Sequence, residues 1–190
     1  MSMGKQVLIL KASPRKWGNS AILADQVAQG ALSAGAEVES VSLHVLDIRP
    51  CDACDLCREN DGECVIEDDM QALYPKLRSA AAIVIATPVY WFTVSAQTKL
   101  FMDRCYALVD KEGYALRGKK IGIVMTYGDA DPFASGAVNA FRTFQDGFRY
   151  VGAPIVGFVY GSASNPGDIR YDTAAMRQAY ELGRSLASGD

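Results

Sequence analysis

One histidine stands among 190 residues, and no Ser/His/Asp set or pair of acids at hydrolytic spacing can be assembled with it. Hydrolysis therefore has no candidate apparatus. An excess of basic charge is also missing. With 19 Lys and Arg against 22 Asp and Glu, the net charge of −3 offers no positive field to attract nucleic acid. No apolar run approaches the roughly 20 residues that a bilayer span requires. MSMGKQVLIL reads as a short lead into a strand, not a secretion signal. No repeat, low-complexity tract or Pro/Gly-rich linker divides the chain, and no GxGxxG follows its first apolar run. The expectation is one cytoplasmic domain over residues 1–190, without nucleic-acid or membrane partners. A hydrophobic content of 49% is enough for a full core.

What is present begins with apolar runs. Buried parallel strands read as continuous hydrophobic stretches, and four stand out: 6–12, 81–87, 120–127 and 154–161. A fifth, 37–48, alternates like an edge strand and carries His44. Helical spacing falls between them. Residues 20–34 place Ile22, Leu23, Val27, Ala31 and Leu32 on one stripe, with Asn19 or Ser20 as the N-cap. Asp68 and Asp69 open a helix through Leu77 that Pro75 is expected to kink or restart. Further helices are expected at 94–108, 133–150 and 172–187. Strands alternating with helices predict an α/β flavodoxin-like, doubly wound, five-stranded parallel sheet of order 2-1-3-4-5, with helices on both faces.

In such sheets ligands bind beyond the carboxyl ends of the strands where the strand order switches. That singles out three loops. SPRKWGNS (13–20) leaves the first strand and enters a helix, whose free N–H groups attract anions. Ser13, Arg15, Asn19 and Ser20 add donors, and Gly18 permits close approach of the backbone. An ordinary capped turn would look much the same. TPVYWF (87–92) joins an expected rigid Thr87-Pro88 turn to three aromatics. They suit a flat ring at a cleft mouth, or else core capping or a partner subunit. TYGDADPF (126–133) is small and polar, and an Asp-Pro turn explains it equally well.

Four of the five cysteines are crowded into a loop at about 50–67. Cys51, Cys54, Cys57 and Cys64 are spaced C-x2-C-x2-C-x6-C. Four soft thiolates at such spacing can wrap an iron–sulfur cluster, and zinc is chemically possible. Cys105 sits on an apolar helix and reads as buried and inert, while Lys99 and Asp103 have ion-pair spacing on one helix face.

Taken in order, SPRKWGNS, CDACDLCRENDGECVIEDDM and TPVYWFTVSAQTKLFMDR resemble the NADPH-dependent FMN reductase and iron–sulfur flavoprotein group, over roughly residues 5–127. The resemblance implies that Ser13, Arg15, Asn19 and Ser20 hold the FMN phosphate. Pro88, Val89, Tyr90, Trp91 and Phe92 would line the flavin ring, with Thr126, Tyr127 and Gly128 on its pyrimidine side. Two departures stand out: Lys11-Ala12 where a glycine is usual, and Phe92, where a smaller residue is more frequent and whose bulk would narrow the cleft. The cysteines would hold a four-iron four-sulfur cluster, or form a reduced loop packed near the flavin.

The implied function is an FMN-dependent NAD(P)H oxidoreductase passing electrons to a flavin, quinone or similar acceptor. No catalytic side chain is required, because the flavin carries the chemistry. The alternatives are an iron–sulfur flavoprotein fed by a ferredoxin-like donor and a non-enzymatic flavodoxin-type carrier. A homodimer or homotetramer is expected.

Overall fold

A computed structural model describes residues 5–188, the side chain of Asp110 excepted; the lead-in at 1–4 and the last two residues lie outside the described residues. In chain order the elements are β1 (Gln6–Lys11), α1 (Asn19–Ser33), β2 (Glu37–Ser42), α2 (Leu56–Glu59), α3 (Met70–Ser79), β3 (Ala82–Tyr90) and β4 (Thr93–Val94). There follow α4 (Ala96–Arg104), β5 (Val109–Asp110), β6 (Gly113–Tyr114), β7 (Lys120–Tyr127), α5 (Ala137–Val151), β8 (Ile155–Ser162) and α6 (Thr173–Ala187). Five parallel strands pair in the order β2-β1-β3-β7-β8, which is 2-1-3-4-5 once the two-residue strands are set aside. This is the flavodoxin-like doubly wound order. The sheet also carries a sixth strand, because β4 turns back antiparallel on β3.

The long apolar runs exist because both faces of the central strands are covered. In β1, Val7 and Ile9 enter the core beneath α1 and α6, while Leu8 and Leu10 enter the core beneath α3, α4 and α5. Each such side chain contributes about 1.5–3 kcal/mol by leaving water. Strand β2 is only half buried and ends at Ser42. The alternation that suggested a strand to residue 48 instead enters a short 3-10 turn at Leu43–Val45, so His44 is exposed on a turn and not on the edge strand.

Three further corrections concern element ends. The N-cap of α1 is Gly18, with Asn19 and Ser20 already inside the helix, and Leu32 at the far end of its stripe is 49% exposed. Helix α3 runs through Pro75 without interruption. Strand β3 continues through Thr87 and Pro88, and Pro88 pairs with Thr126 of β7. Proline is tolerated there because β1 pairs no further than Ala86, so no neighbour on that side needs its missing N–H.

Candidate functional site

The loops that follow β1, β3, β7 and β8 enclose a cleft of about 160 Å³ at the carboxyl edge of the sheet. Ser13, Arg15, Asn19, Ser20, Pro88, Val89, Tyr90, Thr126, Tyr127 and Gly128 all line it. Its floor is the first turn of α1. There the N–H groups of the opening residues have no partner within the helix, and the helix dipole is positive. The hydroxyl of Ser20 is buried in this turn and makes no hydrogen bond. Leaving a buried hydroxyl unpaired costs about 1–3 kcal/mol, so this hydroxyl has a donor to offer an anion at the helix start. Gly18 is required by the tightness of the loop: a Cβ there would lie 2.7 Å from Ser13 Oγ. Ser13 Oγ in turn accepts from the Arg15 N–H at 3.1 Å, which fixes the start of the loop.

Asn19 has a different task. Its Nδ2 donates to the carbonyls of Ala163 and Asn165, and its Oδ1 accepts from the N–H groups of Gly167 and Ile169. The side chain ties the β8–α6 loop against α1, which brings Ala163 and Ser164 to the cleft wall. Sequence reasoning missed those two residues. The available signal was SASNPG, small and polar directly after the apolar run at 154–161. On the β7 side, Asp131 Oδ1 accepts from the N–H groups of Phe133 and Ala134, so Asp131-Pro132 does form a turn while Thr126, Tyr127 and Gly128 face the cleft.

Trp91 and Phe92 do not line this cleft. They form the two-residue tip of the β3–β4 hairpin, with φ of +49° and +64°, and are 92% and 54% exposed. Two consecutive positive φ values are those of a type I′ turn, which favours Asn-Gly. Bulky residues there carry strain of about 1 kcal/mol or more each. The tip is held from outside: Asn139 Nδ2 donates to the Phe92 carbonyl at 3.0 Å, and Gly136 lets Phe92 approach where an added Cβ would meet its backbone at 2.7 Å. Phe92 thus packs on the start of α5 and leaves the cleft open.

The cysteine loop is a separate structure. Ala53, Asp55 and Asp61 all have φ near +55°, and Gly62 has +83°, so the loop folds back on itself around the single turn of α2. Cys51, Cys54, Cys57 and Cys64 all line one small cavity of about 20 Å³. Among the described residues no three His, Cys, Asp or Glu side chains are arranged as a metal site. Burial pushes the Cys57 thiol up from its usual value, and the neighbouring Cys64, Cys54 and Cys51 add to the shift. No described residue lines both this cavity and the cleft.

The loop is anchored by a buried ion pair that the motif reading passed over. The side chains of Asp68 and Arg104 are each 1% exposed and form a two-point contact through Nη1 and Nη2. Arg104 Nη1 also donates to the Arg49 carbonyl, and Nη2 lies 3.5 Å from Cys64 Sγ. Asp68 accepts further bonds from the N–H groups of Arg49 and Met70. Burial alone would raise its carboxyl, but the guanidinium and these donors outweigh burial and hold it below the usual range. Cys105 lies just past α4 on a 3-10 turn and is half-buried, with its thiol pushed up by desolvation. The Lys99–Asp103 pair is present at 2.6 Å.

Comparison with known proteins agrees with this geometry. An iron–sulfur flavoprotein of Methanocaldococcus jannaschii is 30% identical over 190 aligned residues, covering 96% of this chain and 95% of that one. The solved Trp repressor binding protein of Bacillus subtilis is 25% identical with a TM-score of 0.70, over 93% of this chain and 99% of that one. An NAD(P)H:quinone oxidoreductase from Methanothermobacter marburgensis, 19% identical, has the same fold at a TM-score of 0.74, over 98% and 99% of the two chains. The family model for NADPH-dependent FMN reductase matches residues 6–165, which contain every loop of the cleft up to Ser164. The chain belongs to the NADPH-dependent FMN reductase family and is a flavin oxidoreductase.

Proposed function

We propose that the cleft holds FMN by its phosphate and that NAD(P)H supplies the electrons, with a free flavin, a quinone or a similar small molecule as acceptor. The observation that carries this reading is the buried, unpartnered Ser20 hydroxyl at the first turn of α1, beside Ser13 and Arg15. A phosphate oxygen is the acceptor it lacks, and the free N–H groups of the same turn suit the same anion. A cleft of 160 Å³ is smaller than the 300–1,000 Å³ typical of whole drug-sized ligands, so its enclosed part suits the phosphate end. Tyr90 and Gly128 would then border the ring at the mouth. When bound, FMN supplies hydride and electron transfer. The chain anchors the anion through Ser13, Arg15 and Ser20, shapes the wall through Pro88, Val89 and Thr126, and needs no side chain as acid or base. Arg15→Ala is expected to weaken FMN binding about five- to tenfold in fluorescence titration, since its charged bond is made at an exposed site. Unchanged affinity would remove Arg15 from the site.

A second reading adds a cluster. Four thiols sharing one cavity, with a guanidinium beside Cys64, have the donor chemistry of a four-iron four-sulfur site, and the similar Methanocaldococcus jannaschii protein is named for one. Cys51, Cys54, Cys57 and Cys64 would ligate it, and a ferredoxin-like donor would feed it. The ligands would have to draw closer than they stand. An absorption spectrum of protein purified without oxygen tests this, since a cluster and a flavin absorb differently. We further propose a cytoplasmic location, where such thiols stay reduced, and a homodimer or homotetramer. Trp91, Phe92 and Phe133 (80% exposed) leave more aromatic surface outside the cleft than a lone chain needs.

A further inference from the structure

A groove of about 590 Å³, larger than the flavin cleft, lies between the cysteine loop, α4, the β5–β6 hairpin and α5, and it shares no described lining residue with the cleft. Its size falls in the range of small-molecule sites. Buried Phe101, Leu116 and Phe148 make an apolar floor, and Tyr106, Tyr114 and Tyr150 stand at the mouth.

The mouth is organised. Tyr114 and Tyr150 pack with ring centroids 5.5 Å apart. The Tyr106 hydroxyl donates to Asp55 Oδ1 at 3.1 Å and accepts from Arg58 Nε at 3.0 Å, with the guanidinium stacked 4.6 Å from the ring. Aromatic walls select a flat ring, and tyrosine hydroxyls can donate to carbonyl oxygens at its edge. The charge pattern favours a neutral ligand. No Lys, Arg or His is among the described lining residues, and Asp55 and Asp103 stand on the rim. The Arg58 guanidinium beside the mouth is already engaged by the Tyr106 hydroxyl and ring, so a phosphate would face the rim carboxylates, whereas a neutral ring meets no such repulsion.

The position adds a reason for a redox-active ligand. Cys51, Ala53, Asp55, Asp103 and Tyr106 line both this groove and the four-cysteine cavity, so the two share a wall. We propose that the groove is a second ligand site, separate from the flavin cleft, for a neutral, flat, carbonyl-bearing aromatic of the quinone class. Binding there does not depend on the flavin reading.

The test uses 2,3-dimethyl-1,4-naphthoquinone, which is neutral and has no free quinone-ring position for a thiol to attack. Equilibrium dialysis of oxidised, FMN-loaded protein without NAD(P)H should show one saturable equivalent per chain, with FMN retained. Gly147→Leu should weaken it at least tenfold. Gly147 is a wall residue of α5 whose added Cβ would meet only Met102 Cε, at 3.7 Å, and helix propensity favours the change. Met102→Trp blocks from the opposite wall should leucine prove disruptive. Tyr150→Phe should reduce quinone affinity several-fold and leave 2,3-dimethylnaphthalene, which has no carbonyl, unaffected. The proposal is overturned if the probe displaces FMN, or if both filling variants bind it as wild type does. It is equally overturned if no saturable binding occurs, including the case where sedimentation shows a filling variant breaking an assembly that had covered the groove with a second copy. FMN titration and NADPH-driven reduction of free FMN, run on the same proteins, report on the flavin reading independently.

Discussion

Ser20 and Asn19 are neighbours in the first turn of α1 and illustrate opposite uses of a polar side chain. Ser20 spends its burial on nothing in the free protein, whereas Asn19 makes four bonds to the β8–α6 loop. Ser20→Ala is therefore expected to leave the thermal midpoint of FMN-free protein unchanged or slightly raised. FMN affinity should fall by about 1–2 kcal/mol, or five- to thirtyfold. Asn19→Ala should do the reverse first, lowering the midpoint of the FMN-free protein because buried N–H groups and carbonyls lose their partner. Calorimetry and FMN titration on the two variants separate these outcomes, and a loss of apo stability in Ser20→Ala would refute the assignment. Sequence alone could not tell the two residues apart. Both are small, polar and at a helix start, and only the path of a loop some 145 residues away engages one of them. The loops after β1, β3 and β7 were legible because switch-point loops between buried runs are few, whereas Ala163 and Ser164 of the β8–α6 loop were missed and Trp91 and Phe92 fall outside the cleft lining.

At the scale of elements, continuous apolar runs located β1, β3 and β7 well, since strands covered on both faces leave no other pattern. What misled was punctuation. Pro88 read as a turn but sits where strand pairing on one side has ended, and alternation past Ser42 read as strand but became a 3-10 turn. The real turn, Trp91-Phe92, gave no signal because its residues are the wrong type for its backbone. Replacing them together with Asn-Gly should raise apo stability by about 1–2 kcal/mol by relieving two positive φ values, provided the Asn139 bond survives. Chemical denaturation measures this, and a loss of stability would mean that the aromatics pack for a reason that outweighs the strain. The segment joining β2 to α3 carries its own condition. Asp68 is held below the usual carboxylate value in the folded state, so its contribution is complete above about pH 3.9 and lost as pH falls through the lower folded value. The cysteine loop should therefore loosen in acid. Asp68→Asn should abolish that acid limb and cost about 3–5 kcal/mol at neutral pH by leaving Arg104 buried and unpaired. An unchanged acid limb in the variant would assign it to other groups.

Across the whole molecule, two sites of different chemistry are built on one sheet without a shared lining residue. The cleft lies at the carboxyl ends of β1, β3 and β7, while the cysteines are wound against Arg104 and Tyr106 near the end of α4. The resemblance placed both motifs in one protein, but a linear sequence carries no measure of how far apart two motifs fold, so a cysteine loop beside the flavin was a natural expectation. The separation has a consequence that Cys54→Ser can test. Cys54 is exposed, lies outside the hydrophobic core, and lines the cysteine cavity and not the cleft. FMN affinity and NADPH-driven reduction of free FMN should therefore stay within about twofold of the parent, since side chains without shared partners act additively. If a cluster is present in protein purified without oxygen, the same variant should lose its absorption while keeping the flavin bands. A substantial fall in FMN affinity in Cys54→Ser would show that the two sites meet after all, most simply through a neighbouring subunit placing its cysteine loop over the cleft. Sedimentation of parent and variant would then decide whether assembly carries the coupling.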